Sequence, residues 1–176
     1  SYAIDHWESL VLPGDTWRYF IGVSEPPSNW MAPEFNQESW KTGAGGFGFG
    51  DNDDATLVSS SAISVYIRRT FEVKDLSQIG SVRFAIDYDD AFVAFLNGQE
   101  IARSAGLSAA RPAYNQPSSE SHEALLYQGG VPDSYPVDLK IVRQGDNVLA
   151  VQVHNQSATS TDMSAIPFLF AGILDA

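Results

Sequence analysis

The sequence predicts an all-β protein, a two-sheet antiparallel β-sandwich of the jelly-roll type with two long loops. Several segments alternate apolar and polar residues with a period of two, which is typical of strands with one buried face. Asn97-Gly98 lies between two apolar runs and is the strongest short signal for a hairpin. No long amphipathic helix is predicted. About eight strands in one domain favour two packed sheets, since this arrangement limits exposed edges.

Each predicted strand follows from its own pattern. Trp17–Gly22 is a short aromatic run, and the two arms of the hairpin flank the Asn-Gly turn. In three other segments alternate positions are apolar, as at Val82, Phe84 and Ile86, and Ile166–Ile173 is a last, continuously apolar strand. The predicted strands are Trp17–Gly22, Ser64–Val73, Ser81–Tyr88, Ala91–Asn97, Gln99–Ser104, Asn147–His154 and Ile166–Ile173.

Two short segments have other patterns. Asp75–Ile79 is predicted to form one helical turn capped by Asp75, and Val137–Val142 fits either a strand or a single helical turn. Eight aromatic residues in or near the predicted strands are assigned to the core. They are Trp17, Trp40, Phe47, Phe71, Phe84, Phe95, Phe168 and Phe170.

Two long loops interrupt the strand pattern. Pro26–Asp54 is rich in Pro, Gly, Trp and Phe, and Ala105–Pro136 is rich in Ser, Ala, Pro and Tyr. Loops of this length in a compact domain are often functional. With no repeat and no linker-like composition, the sequence predicts a single domain over residues 1–176.

Composition limits the classes of partner. With 10 Lys and Arg against 22 Asp and Glu, the net charge is −12. This charge disfavours nucleic acids and anionic membranes, and it suits neutral glycans and cations. There are no cysteines, so disulfides and thiolate metal sites are excluded. No apolar run is long enough to span a bilayer. The chain starts at Ser1 without a basic n-region, and we interpret it as a mature or excised module.

The directions of the strands predict where acidic residues meet. If the strand ending at His154 pairs antiparallel with Ser64–Val73, the ends of several strands share one edge of the sandwich. We call this edge the acidic rim. Its predicted members are Asp51, Asp53, Asp54, Asp87, Asp89, Asp90, Arg103, His154, Asn155 and Asp162.

So many carboxylates in one place repel each other unless a cation offsets them. Calcium binds six to eight oxygen ligands, and Asp51, Asp53, Asp54 and Asp162 are the predicted metal ligands. A solvated acidic loop with Asx turns is the alternative for Asp51–Asp54. An ion pair between Arg103 and Asp89 or Asp90 is another way to offset the charge.

The predicted ligand-binding residues suit sugar hydroxyls. A carboxylate beside an arginine forms charge-assisted hydrogen bonds, and an exposed aromatic ring stacks on a sugar ring. The candidates are Asp89, Asp90, Arg103, His154, Asn155, Trp30 and Tyr114. Structural roles stay open for Asp89 and Asp90, as turn formers, and for Trp30, as an anchor of its own loop.

No catalytic residues are predicted. There is no Gly-x-Ser-x-Gly elbow, no His-Glu-x-x-His motif and no cysteine nucleophile. A lone histidine at the end of a strand, as at His154, is more often a structural group. The sequence therefore predicts a non-enzyme.

The motifs also resemble a known group of proteins. An Arg-x-Phe strand, the Asn-Gly hairpin and a Gly-x-Asn-x-Leu strand occur in this order, together with Trp30, Trp40, Gly46–Asp51, Tyr66–Phe71, Asp89-Asp90, Ala102-Arg103 and Gly145–Asn155. This pattern resembles the galactose-binding-domain-like jelly rolls, which include carbohydrate-binding modules and the sugar-binding domain of glycoside hydrolase family 2. The chain is most similar to modules of exported bacterial proteins that also carry spore-coat-H-like kinase or lamin-tail domains.

The resemblance implies a function and a location. The chain would be a secreted or cell-surface bacterial module that binds a polysaccharide or oligosaccharide and tethers a larger protein. It would act as a monomeric unit beside neighbouring domains, with a structural calcium ion. The first alternative is a calcium-stabilised structural or adhesive spacer without a glycan site. The second is an accessory domain of a glycosidase or kinase-like enzyme.

Overall fold

The computed structural model describes residues 3–50, 54–58 and 61–175, without the side chain of Tyr127. These residues form two sheets packed face to face, which confirms the predicted all-β sandwich. None of the described helical segments has the length and apolar character needed to cross a membrane. The strands are β1 (Ile4–Val11), β2 (Thr16–Ile21), β3 (Lys41–Ala44), β4 (Phe47–Phe49), β5 (Thr56–Leu57), β6 (Ser64–Val73), β7 (Ile79–Asp89), β8 (Ala91–Leu96), β9 (Gln99–Arg103), β10 (Ser134–Val137), β11 (Gly145–His154) and β12 (Met163–Leu174).

Each sheet has six strands. The first has the order β10-β7-β12-β4-β5, and β1 pairs with the part of β12 that follows its contact with β4. The second has the order β3-β2-β6-β11-β8-β9. All the pairs are antiparallel except β4 with β5. This topology places the long strands β6, β7, β11 and β12 at the centre of the sandwich.

The core between the sheets follows the alternation in the sequence. On β7, the buried residues Val82, Phe84 and Ile86 face the second sheet and belong to the main core. Leu149 and Val151 on β11 contribute from the opposite side. Because successive strand residues point to opposite faces, the period of two identified these core residues correctly.

The hairpin between β8 and β9 has the predicted turn. Asn97 has φ of 52° and Gly98 has φ of 84°, the left-handed backbone that a tight hairpin turn requires. The Asn97 side chain accepts a hydrogen bond from the Val148 amide at 2.9 Å and donates one to Asn147 Oδ1 at 2.9 Å. The turn is therefore fixed to the start of β11, at the end of the sandwich opposite the acidic rim.

The structure also has strands that the sequence did not predict. β1, β3, β4, β5 and β10 are additional, and four of them have two to four residues. In β1, six of eight residues are exposed, so it lacks a clear apolar alternation. The Val137–Val142 segment contains the last residue of β10 and a 3-10 turn at Leu139–Ile141. The turn at Leu76–Gln78, capped by Asp75, is confirmed.

Two of the predicted core aromatics lie elsewhere. Phe168 and Phe170 are half-buried, and their rings stack on each other with centroids 6.1 Å apart. They alternate along β12 with Leu169 and Ala171, which belong to the main core. Phe168 and Phe170 therefore face outward from the first sheet, and their assignment to the core was wrong.

The loop of residues 22–40 covers the outer face of the second sheet. Arg68, on β6, is 1% exposed and donates to the carbonyls of Trp30 at 2.6 Å and Ala32 at 2.8 Å. It also donates to Gln37 Oε1 at 3.0 Å, and its guanidinium lies 5.1 Å from the centre of the Phe35 ring. Arg68 thus connects three points of one long loop to the central part of the sheet.

Candidate functional site

The ends of the strands converge as predicted. His154 is opposite Ser64 of β6 on one side and Ala91 of β8 on the other. In the first sheet, Asp89 at the end of β7 is opposite Ser164 at the start of β12. The Asp90 amide donates to the His154 carbonyl at 3.2 Å, which links the two sheets at this end. The fold therefore builds the acidic rim from strand ends.

Two carboxylates of the rim hold loops. Asp87 accepts hydrogen bonds from the amides of Leu125 at 2.7 Å and Leu126 at 3.1 Å. Asp90 accepts from the amides of His122 at 3.0 Å and Gln156 at 2.9 Å. Two backbone amides donate to each carboxylate, and these hydrogen bonds offset the free-energy cost of burying its charge.

Asp89 differs from its two neighbours. Its side chain is 0% exposed, yet neither carboxylate oxygen has a hydrogen-bond partner among the described residues. One oxygen of Asp89 lies within 4.8 Å of oxygens of Glu123 and Asp162. Burial, reinforced by the neighbouring Asp90, raises the pKa of Asp89 to about 10. These three carboxylates form the one group of potential metal ligands found in the described part of the chain.

The structure locates two of the four predicted metal ligands, Asp54 and Asp162, at or near this group. Asp162 belongs to it, whereas Asp51 and Asp53 lie outside the described residues. Asp54 Oδ1 accepts a hydrogen bond from Ser164 at 3.4 Å, and Ser164 is the residue opposite Asp89. The structure thus adds Asp89 and Glu123 to the candidate metal ligands.

Arg103 connects to its own loop and to Glu100. Its guanidinium forms an ion pair with Glu100 at 2.7 Å and donates to the carbonyls of Leu107 at 2.6 Å and Ala109 at 2.8 Å. The ion pair with Asp89 or Asp90 considered from the sequence is replaced by the pair with Glu100. Arg103 therefore shapes the loop that follows β9.

His154 and Asn155 are both 0% exposed. His154 Nδ1 lies 2.8 Å from the Gln116 carbonyl, and its Nε2 lies 2.8 Å from Gln152 Nε2. A neutral ring fits both contacts, because Nδ1 then donates and Nε2 accepts from the amide. The side chain of Asn155 has no hydrogen-bond partner among the described residues. His154 thus has the structural role that the sequence left open.

A pH dependence follows from the burial of His154. Burial lowers its pKa to about 4, whereas an unfolded histidine has a pKa of about 6.5. The unfolded state therefore binds more protons below pH 6.5, and the folded state loses stability as pH falls from about 6.5 towards 4. We expect His154 to lower the free energy of unfolding by about 2 kcal/mol between pH 7.5 and pH 5. Urea denaturation across this pH range measures the change.

The control for this experiment is the comparison of two variants. His154→Gln should lose this part of the pH dependence, while His6→Gln should keep it, since His6 is exposed. Equal pH dependence in the wild type and in His154→Gln would contradict the assignment to His154.

The predicted aromatic ligands lie in or beside a second apolar cluster. Trp30 is 4% exposed and packs against Trp40, Tyr66 and Phe95, with centroid distances of 6.3, 5.0 and 5.6 Å. Tyr114 is partly buried against the same cluster. Trp30 therefore anchors its own loop, which was the alternative interpretation of its role.

A pocket of about 210 Å³ opens between the two long loops. Glu25, Trp30 and Met31 line it from the loop of residues 22–40, Arg111 from the loop between β9 and β10, and Gln152 from β11. Gln152 is 1% exposed and donates to the Pro112 carbonyl at 3.3 Å. The pocket is therefore lined by a carboxylate, a guanidinium, a buried amide and a buried aromatic residue.

Sequence reasoning missed the polar residues of this pocket and the third carboxylate of the rim group. Glu25, Arg111 and Glu123 lie in or beside the long loops, with no motif around them. Gln152 lies on β11 between core positions, and its alternation with Val151 and Val153 was the signal that it faces away from the main core.

Comparisons with known proteins identify a shared fold. No protein-family model matches the sequence, and no curated protein matches it. Among solved structures, β-glucuronidase 2 of Bacteroides uniformis has a TM-score of 0.63 and 11% identity over 94% of this chain and 18% of its own. A glycosyl hydrolase family 2 member from Bacteroides cellulosilyticus has a TM-score of 0.58 and 12% identity over 94% of this chain and 20% of its own. A β-glucuronidase of an uncultured Clostridium species has a TM-score of 0.58 and 14% identity over 96% of this chain and 29% of its own.

These matches concern one part of each enzyme. The chain spans 18 to 29% of the length of these three glycosidases, so it corresponds to one β-sandwich within each of them. At 11 to 14% identity, the likeness shows the fold alone. The likeness agrees with the predicted β-sandwich fold, and the resemblance to the galactose-binding-domain-like group stays a prediction.

Proposed function

We propose that this chain is a non-catalytic carbohydrate-binding module of a larger protein, with its ligand site in the pocket between the two long loops. The single observation that carries the proposal is the set of groups in that pocket. Glu25 supplies a carboxylate, Arg111 a guanidinium and Gln152 an amide, and Trp30 also lines the pocket. Sugar hydroxyls both donate and accept hydrogen bonds, so a site with charged acceptors and donors suits them.

The size of the pocket favours one sugar ring. Its volume of about 210 Å³ is below the range of roughly 300–1,000 Å³ for pockets that enclose drug-sized ligands. We therefore propose that it binds a terminal sugar or a side branch of a glycan. Affinity should be modest, because one ring and a few hydrogen bonds bury little area.

Several residues predicted from the sequence support this site indirectly. The Tyr114 amide donates to Glu25 Oε2 at 3.1 Å, and Arg103 holds the carbonyls of the loop that contains Arg111. His154 accepts from the Gln152 amide and so fixes the floor of the pocket. In this proposal they position the binding groups.

The experiment is a glycan array followed by titration calorimetry on the best ligand. Glu25→Gln and Arg111→Ala should each reduce affinity at least tenfold, since each removes a charged contact. Glu25→Gln keeps an acceptor for the Tyr114 amide, so the loop should stay in place. Arg143→Ala, an exposed arginine at the opposite end of the sandwich, is the control and should bind normally.

Two results would count against the proposal. Absence of binding to any glycan on the array would remove the proposed function. Binding that is unchanged in both pocket variants would place the sugar elsewhere. Melting curves of each variant establish that it is folded before its affinity is compared.

A second candidate function is a calcium-stabilised spacer between neighbouring domains. The observation that favours it is the group of Asp89, Glu123 and Asp162, which joins β7 to the loop before β10 and to the loop before β12. A module that responds to calcium but binds no glycan would match this function.

A further inference from the structure

The acidic rim contains three carboxylates that come from three separate segments. Asp89 ends β7, Glu123 lies in the long loop between β9 and β10, and Asp162 directly precedes β12. One oxygen from each lies within 4.8 Å of the others. Two oxygens bound to one calcium ion at about 2.4 Å can be separated by at most ~4.8 Å, so the spacing fits a shared cation.

The state of Asp89 is a second and independent observation. It is 0% exposed, and no donor group of the described residues reaches either of its oxygens. Asp87 and Asp90, two residues before it and directly after it, each accept two backbone amides. The fold therefore supplies donors to the carboxylates on both sides of Asp89 and leaves Asp89 without one, directed at Glu123 and Asp162.

No basic side chain offsets this charge in the described ranges. The ion pairs found there involve His6, Arg69 and Arg103, and each is formed with another acid. The ring of His122 stacks on Tyr88 with centroids 3.9 Å apart, and its Nδ1 contacts the Tyr88 carbonyl at 3.0 Å. A buried carboxylate without a donor or a cation is strongly unfavourable in its charged form.

We propose that Asp89, Glu123 and Asp162 bind a divalent cation of the hard, oxygen-preferring class, with calcium as the expected ion. All three ligands are carboxylate oxygens, which suit calcium and magnesium better than softer metals. Glu123 is exposed and Asp162 is half-exposed, so water can complete the six to eight ligands of calcium.

The bound cation would join three chain segments at one end of the sandwich. Asp90 already holds the same two loops through the amides of His122 and Gln156. Binding would therefore stabilise an arrangement that the fold has formed, with little reorganisation. The site lies apart from the pocket between the long loops, so it can be tested without any glycan.

The test uses the metal alone. Calcium titration calorimetry and melting curves in calcium chloride, in magnesium chloride and in EDTA are measured for the wild type, Asp89→Asn and Asp162→Asn. We expect calcium to raise the Tm of the wild type by several degrees, because a ligand that binds the folded state stabilises it. Asp162→Asn should lose at least tenfold in calcium affinity.

Asp89→Asn provides the most specific result. It should lose the calcium response, yet in EDTA it should melt at or above the wild-type Tm, because it replaces an uncompensated acid by a neutral amide. Asp138→Asn, an exposed acid outside the rim, should respond to calcium like the wild type. The proposal is overturned if neither calcium nor magnesium binds the wild type at millimolar concentration, or if Asp89→Asn keeps the full calcium response.

Discussion

Arg68→Ala is expected to lower the free energy of unfolding by about 4 kcal/mol, the largest effect of a single substitution that we predict. Arg68 is 1% exposed and donates to two carbonyls and to the Gln37 side chain. Burial lowers its pKa to about 10, so it stays charged at neutral pH. Removing the guanidinium leaves those acceptors without donors in a buried position, which costs about 1–3 kcal/mol for each group.

The loss should be greatest in the loop of residues 22–40. Trp30 and Trp40 pack together in the cluster that this loop forms with the second sheet, so their fluorescence reports on its detachment. We expect emission at longer wavelength in Arg68→Ala, and a Tm lower by roughly 10 °C for a chain of this size. Urea denaturation followed by fluorescence and by far-UV circular dichroism separates loop detachment from global unfolding.

Two other variants test the role of the guanidinium. Arg68→Lys keeps the charge but cannot donate to three acceptors in a planar fork, so it should recover only part of the lost stability. Arg83→Ala removes a half-buried arginine that bonds to Ser134, and it should cost less than about 1 kcal/mol. A cost below ~1 kcal/mol for Arg68→Ala would mean that the aromatic cluster alone holds the loop.

The role of Arg68 shows where sequence reasoning succeeds and where it stops. The alternation on β6 places Arg68 on the opposite face from Ile67, and the sequence identified that strand with its observed bounds. The alternation cannot show that a loop more than 25 residues away in the chain covers Arg68. That depends on the tertiary packing of Trp30, Phe35 and Trp40, which has no periodic pattern.

The same division applies to the acidic rim. Strand directions follow from antiparallel pairing, so the convergence of Asp89, His154 and Asp162 could be inferred from the order of the strands. The hydrogen-bond partners of each carboxylate could not be inferred from the sequence, because Asp87, Asp89 and Asp90 have the same side chain. Their surroundings differ through the paths of two loops, the one that contains Glu123 and the one that contains Gln156, and long-range contacts set both paths.

Asp90→Ala is expected to lower the free energy of unfolding by about 3 kcal/mol. Asp90 is 5% exposed, and its two oxygens accept from the amides of His122 and Gln156 at 3.0 and 2.9 Å. Hydrogen bonds to a charged acceptor contribute about 1.5–3 kcal/mol each.

Amide hydrogen exchange locates the effect of Asp90→Ala. Protection of His122 and Gln156 should fall more than protection in β6 or β11, because only the two loops lose their acceptor. These loops carry Glu123 and Asp162, so calcium affinity should fall as well, although Asp90 belongs to neither the pocket nor the proposed ligands. If Asp90→Ala lowers stability but leaves calcium affinity unchanged, the hydrogen bonds of Asp90 to the two loops do not contribute to the cation site.

Two acidic variants provide the matched comparison for Asp90→Ala. Asp90→Asn keeps one acceptor oxygen and should lose about half as much stability, since one of the two amides retains a partner. Asp138 caps an exposed 3-10 turn by accepting from the Lys140 amide at 2.9 Å, so Asp138→Ala should cost only ~1 kcal/mol. If Asp90→Ala costs no more than Asp138→Ala, the burial of the Asp90 carboxylate does not strengthen its hydrogen bonds. The loop between β9 and β10 would then be held mainly by the packing of His122 on Tyr88.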